Sequence, residues 1–503
     1  MEPKETRFSY VYDEIKRRIA NGIFPANGRL PSSRRLCEEF HVGTYTVNHV
    51  LKALKEDGLI DIQPRQAAVV CSSVPAPPPE FSILRQRNKI SQVYHTFALI
   101  MPPLLAFTSR DCPFELMPHY EQALQSELEW PDGRGWRPIS AFLGKEILQS
   151  GGNHLLSSLY TAVFELEGSL TFFTEQCPYF SDRFLQRTKY YFQNGETNIF
   201  AIHTIQILMG SDPAEKYRDL ATIYQRLAEA VDDTLQHLAA NSPQIPPAET
   251  VQVAWNPTRG QNYYYTNIVQ DLTHKISNGT YLPGDFLPYE GELAQQYGVS
   301  VSTIRKALAQ LCRRGFTKTI NVKGTMVLLP DDNTVSQVLK DKSIQQEALT
   351  YLYALQAIML IIHPVMLRVA PQLVEEDSEK FLKNTQNSSS ILWNIVTHSL
   401  NRLDLIPLRT ILTELLSLTN WGYFITVYPS SRPSLERLNE KAKHACRHLR
   451  SKNYLAFADG IADCYRDTLE YACQYMLEKY HFTKARSVQV PRLISLDNTE
   501  FCL

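Results

Sequence analysis

Apolar and polar positions along this chain set out one short pattern twice. Ile268, Leu272 and Ile276 fall at i, i+4 and i+8, which predicts one buried face of a helix. Gly279 ends that helix, and Leu282-Pro-Gly-Asp285 marks a turn. Leu293 and Ala294 predict the inward side of a second, short helix. Gly298-Val299-Ser300 predicts a tight turn, with Ser300 capping a third helix. In that helix Ile304, Ala307, Leu308 and Leu311 form the expected buried stripe, and Gly315 the left-handed C-terminal cap. Phe316 to Asn321 and Thr325 to Leu329 read as strands around the turn Val322-Lys-Gly. Nearer the start, Val11, Ile15 and Ile19, then Leu36 and Phe40, then Val47, Val50, Leu51 and Leu54 follow the same path, with a wing from Leu59 to Val70.

The two copies align at a constant offset of 257 residues without a gap. Ile19, Leu30, Pro31, Leu36, Val42, Thr46, Leu51, Leu54, Gly58 and Val70 recur as Ile276, Leu287, Pro288, Leu293, Val299, Thr303, Leu308, Leu311, Gly315 and Val327. The repeat continues more weakly, with Ala98-Leu-Ile-Met-Pro-Pro echoed by Met359-Leu-Ile-Ile-His-Pro. The expected architecture is mostly α and built by internal tandem duplication. Two winged helix-turn-helix modules are each followed by an all-α helical bundle. The expected divisions are module one at 5–72, a Pro-rich linker at 73–89 and a helical domain at 90–240. A second linker at 241–261, module two at 262–330, a helical domain at 331–490 and a tail at 491–503 follow.

The run Gly279 to Pro288, the segment GVSVSTIRKAL from Gly298 to Leu308, and the wing segments GLIDIQ and GFTKTINVKGT resemble the GntR family of bacterial regulators. The resemblance covers about 65 residues twice. It implies a sequence-specific transcription regulator whose partner is a double-stranded DNA operator. The chain departs from the family pattern in places. Arg34 keeps a usual second-helix arginine, whereas the second copy has Gly291. Thr44 and Val301 stand where family members carry a third-helix arginine. A second arginine of that helix survives as Arg305 and is Asn48 in the first copy. The wing Gly-Thr survives as Gly324-Thr325 and is Ala67-Ala68 in the first copy.

A recognition helix places its N-terminal residues at base edges in the major groove. With the apolar stripe turned inward, Ser302, Thr303, Arg305 and Lys306 are left outward in the second copy, and Tyr45, Thr46, Asn48 and His49 in the first. Arginine pairs bidentately with guanine and asparagine with adenine. The hydroxyls of Thr46 and Thr303 suit phosphates at the helix start, and Thr44 and Ser300 are counted with them on the DNA-binding face. Arg65 and Gln66, or Lys323, Gly324 and Thr325, would sit on the wings. Each copy keeps part of the usual set, so the two should read different bases or bind with unequal strength.

Charge sharpens this picture. Formal net charge is −1 overall, yet Lys4–Ser72 and Asn262–Leu329 each balance to +3. Two weakly basic modules on an acidic body suit phosphate binding. The nine cysteines form no CxxC pair and no zinc spacing, so reduced buried thiols in the cytoplasm are expected. The first residues, MEPKETRFSY, hold no apolar run of a secretory signal. Tyr351 to Leu367 is the most apolar stretch and reads as a buried, kinked helix rather than a bilayer span.

The regions after each module carry helical periodicity over Leu155–Phe173, Ala214–Leu238, Ile391–Leu418 and Leu435–Met476. Their position resembles the helical effector domains of the FadR-like and FCD branch, which implies a small-molecule effector. The Asp and three His that hold a metal in many FCD domains are not found. His444 and His448 share one helix face, and a surface pair is the expected reading. Phe172, Phe173, Tyr190, Tyr191, Trp421 and Tyr423 are expected core that could line a pocket. No cofactor is expected. Enzyme motifs are missing: no P-loop, G-x-S-x-G, H-E-x-x-H or Rossmann glycine run occurs. A pyridoxal-phosphate aminotransferase fusion fits poorly with 21 glycines in the whole chain. An interaction scaffold with inactive modules is the other alternative. Because both modules lie in one chain, it should form an intramolecular pseudo-dimer on an asymmetric operator, or else a homodimer.

Overall fold

The computed structural model describes residues 28–40, 42–63, 67–71, 79–110, 112–125, 142–160, 200–241, 264–277, 279–328, 335–337, 339–373, 391–422 and 432–491, and singly 8, 11, 12, 15, 16, 19, 377 and 381. The fold is mostly helical, with two small antiparallel hairpins.

The first module has α1 (Ser33–Phe40), α2 (Thr44–Glu56), β1 (Ile60–Asp61) and β2 (Val69–Val70). Val11, Ile15 and Ile19, the described positions of the preceding helix, are buried with Leu36, Val47, Val50 and Leu54. Gly58 takes φ 70° after α2, the left-handed turn that releases the chain into the wing.

After it runs the long helix α3 (Pro79–Thr108), which packs along α5 (Pro213–Asn241), and the shorter α4 (Phe200–Met209) packs against α5. The start of α3 corrects the expected linker, which was to run to residue 89. Ile83, Leu84 and Ile90 are buried, so this segment is already a core-facing helix. The Leu155–Phe173 expectation lies outside the described residues beyond Tyr160, as do Phe172, Phe173, Tyr190, Tyr191 and Tyr423 and the side chain of Trp421.

The second module has α6 (Tyr264–Ser277), α7 (Glu290–Tyr297), α8 (Val301–Arg313), β3 (Thr317–Ile320) and β4 (Gly324–Val327). The wing register pairs Thr317 with Val327 and Ile320 with Gly324. The bundle that follows holds α9 (Lys342–Val369), α10 (Ile391–Arg402), α11 (Ile406–Leu418), α12 (Arg432–Arg450) and α13 (Tyr454–Tyr480). Gly460 of α13 lets it lie close to α12, because an added methyl there would come 2.8 Å from Ala445 Cβ. Gly460→Leu is expected to force the two helices apart and cost about 1–3 kcal/mol, read as a lower denaturation midpoint.

Helix α9 runs unbroken through Pro364 and is longer than its apolar stretch suggested. By length and composition, Ile83–Thr108 and Ile344–Gln372 could each cross a bilayer, but 67% and 83% of their apolar windows are buried inside the protein. They serve as the central helices of the two bundles. The echoed segments at Ala98 and Met359 fall in these equivalent helices, and α3 and α9 pack against each other.

The halves are also joined by polar contacts. Asn153, fully buried, donates to the Tyr353 carbonyl (2.9 Å) and to Gln356 Oε1 (2.8 Å). Gln356 in turn donates to the Gln489 carbonyl at 2.6 Å. The Ile406 amide donates to Gln92 Oε1 at 3.1 Å. Among the described residues, the second module shares one continuous apolar core with both bundles, while the first module keeps a core of its own. Cys446 and Cys473 are free thiols whose pKa burial pushes up to about 11, so they stay protonated and unreactive.

Candidate nucleic-acid interface

Helix α8 is held by its underside. Ile304, Ala307, Leu308 and Leu311 are buried against α6 and α7, which leaves Ser302, Arg305 and Lys306 exposed and Thr303 half-buried. Ser300 caps its start, accepting from the Thr303 amide at 3.3 Å. The hydroxyls of Ser302 and Thr303 lie 2.8 and 2.9 Å from the same oxygen. Three hydroxyls thus gather at the N-terminus of α8, an arrangement suited to an anion. Ser300→Ala is expected to destabilise the module by about 1 kcal/mol, measurable as a shift in its unfolding midpoint.

Arg305 donates from Nε to Glu290 Oε2 at 2.7 Å. Glu290 is the first residue of α7, so the pair ties the two helices of the helix-turn-helix and fixes where the guanidinium points. The pair is largely exposed, so its worth lies in orientation rather than stability. Beneath it, Tyr297 donates to Asp271 Oδ2 at 2.5 Å, and Lys275 pairs with Asp271 at 2.8 Å. Burial, then the adjacent carboxylate, holds the Tyr297 phenol well above its ordinary pKa, so it remains a donor.

The first module presents the matching face with different chemistry. Val47, Val50, Leu51 and Leu54 are buried beneath α2. Tyr45 is 83% exposed, Thr44, Asn48 and His49 are exposed, and Thr46 is half-buried. The His49 ring lies 4.8 Å from Phe8 and 6.1 Å from Tyr45, so the outward face is partly aromatic. Gly43 stands where Ser300 does, and α2 has no side-chain cap. Arg34 is exposed on α1. Arg65 and Gln66 lie outside the described residues.

On the second wing Lys323 is exposed and Gly324 takes φ 109°. Thr325 is a correction. Strand alternation turns it inward with Val327, and it is 9% exposed, so its side chain does not belong to the binding face. Sequence reasoning passed over Glu290, and it passed over Val322, which is fully exposed at the wing tip. The offset comparison carried the signal for Val322, since Arg65 occupies that place in the first copy.

Attachment to the body also differs. Arg313 pairs with Asp341, and Arg314 with Glu347 at 2.8 Å, linking the end of α8 to the start of α9. The first copy has Glu56 and Asp57 at these two positions, paired with Lys52 (3.7 Å) and Lys16 (3.8 Å) inside the module. His444 and His448 meet edge to face, 4.8 Å between centroids, and no group of three metal-ligating side chains occurs among the described residues.

Residues 9–70 and 264–327 each match the family model described as bacterial regulatory proteins, gntR family. The chain is similar to the HTH-type transcriptional regulator TreR of Bacillus subtilis, 39% identical over 64 residues, 13% of this chain and 27% of that protein. It is similar to the histidine utilization repressor of Klebsiella aerogenes, 34% identical over 77 residues, 15% of this chain and 32% of the relative. A fatty acid metabolism regulator protein of Vibrio parahaemolyticus is 27% identical over 139 residues, 24% of this chain and 45% of its own length. The chain thus spans less than half the length of these curated relatives. Among solved structures, Streptococcus agalactiae GntR matches with 19% identity and a TM-score of 0.19, covering 41% of this chain and 99% of its own. Escherichia coli McbR/YncC matches with 17% identity and a TM-score of 0.24, covering 42% and 99%.

Proposed function

We propose that this chain, which carries two winged helix-turn-helix domains of the GntR family, is a cytoplasmic transcription regulator that reads an asymmetric operator with both domains at once. The observation that carries this reading is the pair of helices α2 and α8. Each sits on a buried apolar underside and turns polar base-reading side chains outward: Asn48 and His49 on one, Arg305 and Lys306 on the other. Phosphate contacts from Arg34, Lys323 and the helix-start hydroxyls would hold the register, while Asn48 and Arg305 would specify bases.

The two helical bundles would play the part a second subunit plays in a dimeric regulator. Their packing through α3 and α9, and the Asn153 bridge, support an intramolecular pseudo-dimer. They are also the place for a small-molecule effector, with the divisions near residues 72, 241, 262 and 330 separating reading from sensing. Selection of bound sequences from random duplex DNA, followed by footprinting, tests the proposal. Two unlike half-sites protected by one chain are the expected result. Four half-sites per complex would instead make the working unit a homodimer, and failure to enrich any sequence would end the reading.

A further inference from the structure

The modules differ in chemistry at positions that would meet DNA. At the 257-residue offset, Arg29, Ser32, Thr44 and Arg65 of the first are matched by Phe286, Tyr289, Val301 and Val322 of the second. Phe286, Tyr289 and Val322 are 43%, 66% and 102% exposed. They are not scattered. A methyl group on Gly324 would lie 3.7 Å from the Phe286 ring and 3.9 Å from the Tyr289 ring, so both aromatics flank the wing that carries Val322 at its tip. Phe286 also bridges to Met326 of β4.

Val322 holds φ 68° at the third position of the turn closed by the Lys323 amide on the Ile320 carbonyl. Glycine or asparagine is the ordinary occupant of such a position, and a β-branched residue is disfavoured there. Burial cannot account for the valine, because its side chain touches solvent all round. Strain kept at an exposed apolar tip points to a contact made outside the chain.

The cations around it narrow the partner. Arg305, Arg313, Arg314 and Lys275 are each engaged by a carboxylate. Lys306, Lys318 and Lys323 are exposed and make no ion pair among the described residues. An apolar strip with such an electropositive rim matches duplex DNA, whose minor groove offers sugar edges between two rows of phosphates.

Resting on the reading of the chain as a DNA-binding regulator, we propose that the second module engages an A·T-rich half-site by apolar contact, with Val322 pressed into the minor groove and Phe286 and Tyr289 against the flanking sugars. Apolar side chains do enter minor grooves, and A·T pairs lack the guanine amino group that would project into the space such a side chain needs.

Full-length chain and its selected operator are titrated across a salt series for wild type, Val322→Asn and Arg34→Ala. Asparagine tolerates the positive φ, so Val322→Asn should fold with an equal or higher thermal midpoint. It should weaken binding roughly three- to tenfold at every salt concentration, leaving the slope of log affinity against log salt unchanged. Arg34→Ala should lower that slope by about one. Unchanged affinity in Val322→Asn overturns the inference, and so does unchanged affinity with a shift in sedimentation, which would make the strip an interface between copies. A wild-type chain that selects no sequence would overturn the underlying reading, whereas a selecting chain with an unresponsive Val322 overturns this inference alone.

Discussion

Replacing Arg305 and Asn48 together by alanine weakens binding to the selected operator by about 2–6 kcal/mol, between roughly 30-fold and four orders of magnitude. Each residue stands outward on its own recognition helix, and each side chain can make two hydrogen bonds to one base edge. The Glu290 carboxylate accepts from the Arg305 Nε–H and leaves the outer guanidinium nitrogens for a guanine. The two sites share no partner, so their effects should add. Affinity for unrelated duplex DNA should fall much less, because only one cation is removed. The thermal midpoint should barely move, since both side chains are exposed. Gel-shift titration against operator and scrambled duplex checks this. Undiminished preference for the operator in the double variant would mean that these helices are not the readers.

Asn153→Ala is expected to destabilise the helical body by about 2–4 kcal/mol. Asn153 is fully buried, and its amide satisfies three groups: the Tyr353 carbonyl, Gln356 Oε1 and the Leu155 amide. Removing it takes the side-chain partner from Gln356 Oε1 and from the Leu155 amide at a buried site, while the Tyr353 carbonyl keeps its place within helix α9. The same substitution loosens the join between the two halves, because Gln356 and Tyr353 lie on α9 of the second half. Urea denaturation followed by circular dichroism reads the loss. A change smaller than about 0.5 kcal/mol would show that the Asn153 bridge does not hold the halves together.

Much of the reading face was legible in the residues. The stripes on α2 and α8, the Ser300 cap and the left-handed Gly58 and Gly315 all stand as the pattern predicted. Thr325 was misplaced because it was carried over with the family's wing Gly-Thr, whereas the two-residue period of the strand turns its side chain inward with Val327. The linker was overrun because Pro79 is acceptable in a helix's first turn, so the Pro-rich stretch hid a start. Arg305 was legible as an outward residue, but its partner was not.

What the order of amino acids determined alone is local: helical stripes, caps, turns and their repetition 257 residues apart. Those features depend on neighbours within a few positions, where backbone geometry fixes which side chains share a face. Only the tertiary structure decided that Asn153 meets Gln356, that Arg314 meets Glu347, and that Phe286 and Tyr289 flank the wing. Such pairings bring together groups from separate elements, 203 positions apart for Asn153 and Gln356 and 314 for Gln92 and Ile406. They follow from how whole elements pack, a property that no local period encodes.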